Sequence, residues 1–462
     1  MGFGGTTNVQ KKENLDVNWK LFYKHVFSLI VPMALQNLIN VGVTATDVLM
    51  LGRVGEKVLS GASLAGQIQF VMTLFLFGIT SGATVLTAQY WGKKDTRSIE
   101  KIMGMAMTMA VSAGLLFNLA AEIFPTQLLR IFTSEEAVIL EGAKYLRIVA
   151  FSYAIMCVTQ IYLNIMRSIE RVVIATVVYG ISLMANIVLN AILIFGLFGM
   201  PALGIEGAAI ATLISRILEL VIVLWYANYK NKAIHFHFKD MIKIDKLLLK
   251  DFLVYAAPVI INELFWGLGS SANTAIIGHL GSAAVAANSV AQVARQLALV
   301  VCFGVSNATA IYLGKTIGEK RYELAKAYGR KFLKLSIITG LLGGCLVFLS
   351  SPIALRLMTL SAEAQGYMKF MFFVMSYFTF CMSINTTLIV GVLRSGGDTK
   401  YGLIVELGAM WCFSILLGAI AAFKFHASVE VVYIILMSDE VVKIPLSMYR
   451  FFSYKWIKNI TR

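Results

Sequence analysis

Asp47 lies well inside the apolar stretch Ser28 to Gly55, SLIVPMALQNLINVGVTATDVLMLGRVG. A charged group in hydrocarbon costs roughly 2.5–3.5 kcal/mol on insertion scales, and a chain accepts it when the group faces a partner, a wet cavity or an ion path. Burial favours the neutral form of such an acid and a bound cation favours the charged form. Asp47 is therefore suited to exchanging a proton or a sodium ion; the bland alternative is a carboxylate satisfied by neighbouring helices. Further along, Asn186 and Asn190 are four residues apart and share one helical face. They fit either a polar site or interhelical hydrogen bonding. Glu263 stands five residues after Pro258 in a second apolar stretch, Ala257 to Gly281, again as its single acid. Arg295, with Gln292 and Gln296 close by, is a lone cation in AANSVAQVARQLALVVCFG. At that depth it must pair or face water. Glu263 is its expected partner, and a substrate contact is the alternative for both. Glu406 is a minor candidate. Asp439 and Glu440 precede Lys443 at helical spacing, which predicts a local ion pair.

The elements that hold these residues follow from composition. The chain has 462 residues, 58% hydrophobic and 14% charged, well below the charge of a soluble domain. Apolar runs of 20 or more residues recur without alternation, which predicts a polytopic all-α membrane protein and excludes a barrel. Twelve spans are expected, at about 26–51, 61–90, 102–124, 143–165, 172–198 and 204–228, then 251–277, 284–313, 331–355, 366–392, 401–423 and 429–450. The net charge of +15 would suggest nucleic acid in a soluble protein; here it gathers in the even-numbered connections and predicts topology. Lys93, Lys94, Arg97 and Lys101 follow span 2; Arg167 and Arg171 follow span 4; Arg394 and Lys400 follow span 10. The basic linker at 229–250 contains Lys239 and Lys243. Both termini are thus expected in the cytoplasm, with the chain in the plasma or inner membrane. The first 24 residues, with Lys11 and Lys12, hold no cleavable apolar core, so no signal peptide is expected. The five cysteines fall inside apolar runs and read as packing residues. His235 and His237 sit in the linker and call for no metal.

The two halves repeat. Pro32 and Pro258 are 226 residues apart. At that offset, without a gap, Gly52 meets Gly278, Gly55 meets Gly281, Phe77-Gly78 meets Phe303-Gly304, Gly92 meets Gly318 and Lys94 meets Lys320. A one-residue slip brings Arg167-Ser168 onto Arg394-Ser395. Six spans separate the prolines, so the copies run in parallel, related by a pseudo-twofold axis along the membrane normal. The predicted units are an N-terminal lobe at 1–228, the linker at 229–250 and a C-terminal lobe at 251–462.

Met50-Leu51-Gly52-Arg53-Val54-Gly55 closing span 1, Gly204-Ile205-Glu206-Gly207-Ala208-Ala209 opening span 6, and the run Gly391 to Lys400 after span 10 occur in order along nearly the whole chain. With the proline and the acid fifteen residues later, they resemble the multidrug and toxic compound extrusion family of transporters. The resemblance implies twelve helices in two six-helix lobes, a central cleft and alternating access. It also implies export of drug-like, often cationic, compounds in exchange for protons or sodium. It places Asp47, Asn186, Asn190 and Thr212 at an amino-terminal cation site that could take Na+. Some members carry a second acid where Asn190 stands; this chain has one formal charge there. The sodium-coupled branch has its span-7 glutamate about one turn later, where Trp266 stands, and an acid in span 10, where this chain offers Asn385.

The leading expectation is a secondary antiporter working as a monomer, with no cofactor beyond the coupling ion. The second is a lipid-linked oligosaccharide flippase of the same superfamily, which would want a more cationic central cavity than Arg295 alone provides. No P-loop points to ATP hydrolysis. An enzyme acting on lipids would need clustered polar residues near one interface, and the acids here are single and scattered. A channel is disfavoured by the two-lobe repeat with lone buried carboxylates.

Overall fold

With no water to satisfy the backbone in hydrocarbon, long apolar runs must close their hydrogen bonds internally as helices. The computed structural model describes residues 18–235, 245–357 and 361–462; Lys11, Lys12, His237, Lys239 and Lys243 lie outside them. Among the described residues there is no strand. Spans 1, 2 and 3 are Trp19–Val54, Glu56–Gly92 and Thr96–Ile123. Spans 5 and 6 are Val173–Phe195 and Ile205–Trp225. Spans 7, 8 and 9 are Lys246–His279, Ser282–Gly318 and Tyr322–Leu357. Span 10 is Ala362–Thr386, continued by the wider turns of Thr387–Leu393, and span 11 begins with Thr399–Leu407 and ends with Leu416–Phe423. Side-chain oxygens of Asn18, Asp95 and Asp245 cap spans 1, 3 and 7 by accepting from backbone amides of the first turn.

Two spans are not the single helices expected. Span 4 is a pair, Glu136–Ala150 and Ser152–Ser168, bent by 49°. Span 12 breaks after Leu436 and restarts as Asp439–Phe452. The break is satisfied from span 11: Ser414 Oγ lies 2.6 Å from the Ile435 carbonyl and 2.8 Å from that of Leu436. A hydroxyl thus supplies what the interrupted ladder loses. Span 12 is consequently too short in either piece to pass as a crossing by length, whereas among the described residues ten continuous helices pass and span 4 makes an eleventh.

The repeat is visible atom by atom in the turns. Lys94 and Lys320 both adopt left-handed φ, 63° and 60°. Each amide donates three residues back, to Trp91 and Ile317, and the next amide five residues back, to Tyr90 and Thr316. After spans 4 and 10, Glu170 and Gly397 take left-handed φ, 66° and 75°, with matching bonds to Arg167 and Arg394. The six-helix lobes meet along spans 1, 2, 7 and 8. A Cβ on Gly92 would strike the Lys315 carbonyl, and one on Gly318 the Gln89 carbonyl. These are the same contact seen from both sides, because Gly92 matches Gly318 and Gln89 matches Lys315 at the 226-residue offset. Ala88 and Gly314 are offset mates of each other, and a Cβ on Gly314 would come 2.7 Å from that of Ala88. The pseudo-twofold axis therefore passes between them.

This seam lies at the end of the even-numbered connections, termed the basic end. It is reinforced by ordered chain at 453–462. Gln89 Nε2 donates to the carbonyls of Ser395 and Lys458, and Gln89 Oε1 accepts from the Ile460 amide. Arg462 forms a bidentate pair with Asp251, Lys458 pairs with Asp398, and Trp456 is fully buried. Lys315 of span 8 reaches Glu170 of the first lobe at 2.7 Å. The cysteines are free; Cys157, Cys302 and Cys381 are buried, and Cys345 and Cys412 are exposed.

Candidate functional site

The four-residue spacing of Asn186 and Asn190 does what a helix face demands and turns both toward span 1. Asn190 Nδ2 donates to Asp47 Oδ1 at 2.6 Å and to Asn186 Oδ1 at 3.0 Å. Both asparagines are buried. Asn190 Oδ1 is left without a hydrogen-bond partner, a free acceptor beside a carboxylate. Thr212, on span 6, has a buried Oγ1 with no hydrogen-bond partner and lines the same cavity as Asn186. Asp47, Asn186 and Asn190 thus form one connected group, and Thr212 shares a cavity with Asn186 without bonding to the group. Its oxygens are hard donors of the kind a proton or small cation uses.

Two neighbours of this group were not singled out from the sequence. Arg216 stands one turn after Thr212 and donates to both oxygens of Glu219 at 2.8 and 3.0 Å. Glu219 is buried, and Arg216 is in electrostatic reach of Asp47. The signal was available: an arginine and a glutamate three apart in an otherwise apolar span. Counted formally, Asp47, Glu219 and Arg216 leave one negative charge, a balance that a single monovalent cation would neutralise. Asn186, Thr212, Arg216 and Glu219 line a common cavity within this lobe.

In the C-terminal lobe the expected pairing of Glu263 with Arg295 does not occur. Arg394 Nη2 donates to Glu263 Oε1 at 2.8 Å, and Arg394 Nη1 donates to Ser81 Oγ of the opposite lobe at 3.0 Å. The reason is the wider-turned stretch Thr387–Leu393: the helix runs on through Arg394, which is buried rather than placed in the following connection. Arg295 instead lies over the Phe378 ring at 5.4 Å and, among the described residues, has only Met382 Sδ, at 4.0 Å, as an acceptor. It shares a cavity with Gln292, Asn273 and Glu440. Asn385 donates to Glu440 Oε2 at 2.8 Å and accepts from Ser447. Lys443 is buried among three carboxylates, Glu406, Asp439 and Glu440, at 2.7, 2.9 and 2.8 Å. The local pair is present, and Glu406 joins it from span 11. Among the described residues no group of three or more His, Cys, Asp or Glu side chains is placed to hold a metal ion.

Between the lobes lies a cleft of about 230 Å³ bordered by Asn37, Phe77, Gln160, Asn307 and Arg394. A contiguous region adds Glu263, Trp266, Asn385, Glu406 and Glu440 from the C-terminal lobe. The floor of the cleft is formed by Val85, Ala310 and Ile311, about one helical turn from the seam residues Ala88 and Gly314.

The MatE family model matches residues 32–192 and 258–453, two segments whose starting points are the two repeat prolines. The chain belongs to the MATE family of transporters. "Probable multidrug resistance protein YoeA" of Bacillus subtilis (strain 168) is 25% identical over 387 residues, 83% of each chain. "Probable multidrug resistance protein NorM" of Thermotoga maritima is 23% identical over 437 residues, 94% of this chain and 93% of that one. Among solved structures, a MOP superfamily transporter from Pyrococcus furiosus, described with the words "Reverse polarity of binding pocket suggests different function", is similar with a TM-score of 0.84 at 17% identity. It covers 94% of this chain and 96% of its own. A structure described as the outward-facing conformation of a multidrug resistance MATE family transporter is similar with a TM-score of 0.81 at 18% identity, covering 94% of this chain and 96% of its own. These likenesses establish the two-lobe, twelve-helix MATE fold.

Proposed function

We propose that this chain exports drug-like, amphipathic small molecules, cationic ones among them, in exchange for protons or sodium ions, with Asp47 as the coupling carboxylate. The observation that carries the reading is the Asp47–Asn190–Asn186 chain of hydrogen bonds inside a family transporter. It gives a membrane-embedded acid one amide donor and leaves a free acceptor, Asn190 Oδ1, at its side. The multidrug resistance names of the relatives agree with it. Glu406 and Glu440 along the C-terminal wall of the cleft, which together with Asp439 outnumber Lys443 among them, suit a cationic substrate. The basic end, where the lobes are sealed, is assigned to the cytoplasm by the positive-inside rule, so the described state faces outward. A cation that binds this state and the inward state unequally shifts the balance between them by that difference alone.

The test is export of a fluorescent organic cation from cells lacking their own pumps, for wild type beside Asp47→Asn, under a proton gradient and then a sodium gradient. Export by wild type and none by the variant supports the reading, and the effective gradient names the ion. No export under either gradient sinks it and brings forward the oligosaccharide flippase. Equal export by both proteins makes Asp47 structural.

A further inference from the structure

The floor of the central cleft carries two arginines and, in its immediate lining, no carboxylate. Arg167, at the end of span 4, and Arg394, at the end of span 10, are repeat mates. Arg394 is neutralised by Glu263. Arg167 is not. Its Nη2 donates to the Tyr179 hydroxyl at 3.1 Å, its guanidinium lies 5.9 Å from the Tyr179 ring centre, and its Nε is buried with no partner. Among the described residues it forms no ion pair. The two acids closest along the neighbouring elements are engaged elsewhere: Glu170 with Lys315, and Glu219 with Arg216. Around it the cleft offers neutral polar groups, including Asn37, Ser81, Gln160 and Asn307. Arg167 is half-buried at the cleft, and a guanidinium held by a phenol alone, with its Nε buried and unpartnered, is short of the charge-assisted bonds it normally makes.

We infer that Arg167 is a binding residue for the anionic oxygen group, a carboxylate or sulfonate, of an amphipathic small molecule lying in the central cleft. The inference rests on the exporter reading for its place in transport, and it widens the substrate class from cations to molecules bearing an acid. The guanidinium supplies the charge, Tyr179 fixes its orientation, and the apolar side chains of Met33, Leu76 and Phe77 cover the body of the ligand.

The test is binding to the purified, detergent-solubilised protein, which needs no gradient and so stands or falls apart from the antiport assay. The probes are dansylglycine and its methyl ester, alike except for the charge, followed by dansyl fluorescence. Wild type should bind the acid at least about tenfold more tightly than the ester, the scale of one charge-assisted bond. Arg167→Gln should erase that preference while leaving ester binding unchanged, and Arg167→Lys should restore part of it. Thermal unfolding of each variant shows that it is folded. Equal binding of acid and ester to wild type, or a preference that survives Arg167→Gln, overturns the inference. So does an Arg167-dependent preference for phosphatidylglycerol over phosphatidylcholine with no preference among the dansyl probes, which would assign the site to a lipid headgroup.

Discussion

Asp47 of span 1 accepts a 2.6 Å hydrogen bond from the side-chain Nδ2 of Asn190 on span 5, and the Oδ1 of the same amide has no partner. Replacing the amide by a carboxylate in Asn190→Asp would set two acids against each other across the same gap, a repulsion that a bound cation relieves. Sodium chloride should therefore raise the thermal unfolding temperature of Asn190→Asp more than that of wild type, with choline chloride as the control for ionic strength. An equal response in both proteins would show that no cation enters between the two side chains.

Glu263 and Arg394 form a buried pair, 13% and 5% exposed. Removing one partner strands the other, at about 3–5 kcal/mol for a fully buried pair. Ser81 remains bonded to Arg394, so Glu263→Gln should destabilise by about 2–3 kcal/mol. The double variant Glu263→Gln/Arg394→Gln should be less unstable than the sum of the single variants. Thermal or denaturant unfolding in detergent measures both, and simple additivity would mean that the pair is not coupled.

The seam between spans 2 and 8 leaves no space for a side chain at Gly318. Gly318→Ala should push the Gln89 carbonyl away and weaken the sealed basic end by about 1–3 kcal/mol, the usual penalty for overpacking. In a cysteine-free background, a cysteine placed at Ala310 on the cleft floor should react faster with a membrane-impermeant thiol reagent applied from the basic side once Gly318→Ala is added. An unchanged rate would show that the seam yields without opening.

Asp398 lies in the connection after span 10, bonded to Arg450 at 2.6 and 3.1 Å and to Lys458 at 2.8 Å. Burial alone would raise its carboxyl, but the two cations outweigh it and hold it below the ordinary value of 3.8. Its stabilisation is therefore fully present above that value and is lost as pH falls through the lowered one. Tryptophan fluorescence of Trp456, in a protein stripped of its other tryptophans, should report release of 453–462 below about pH 3.8. Asp398→Asn should weaken the same contact at neutral pH by about 1–2 kcal/mol and remove the acid transition.

Much of the fold was legible because it rests on local signals. Apolar length marked the spans, basic connections marked one end, and an ungapped offset of 226 between prolines marked the repeat that Lys94 and Lys320 now show in their backbone. The shared face of Asn186 and Asn190 was legible for the same reason, since a four-residue spacing fixes it; that this face meets Asp47 was implied by the family resemblance and not by the spacing. What escaped depended on irregular helix or on distance in sequence. Arg394 looked like a loop charge because the widened turns before it give no sequence warning. The break in span 12 is sustained by Ser414, a residue of another span. Lys443 draws in Glu406 from 37 positions away. Arg216 and Glu219 carried a readable pattern that topology alone did not demand.

The meeting of Ala88 and Gly314 on the axis bears on how such a chain could arise. Two separate half-length subunits, paired about a twofold, would place one residue against its own copy there, and whatever the gene encoded would appear twice. Two alanines would force their methyl groups to about the 2.7 Å approach that a Cβ on Gly314 would make to Ala88, so such a dimer would be held to glycine on both sides. Joining the halves into one polypeptide lifts that restriction. One copy keeps a methyl group and the other gives it up, and a contact that symmetry would have made empty becomes filled from one side.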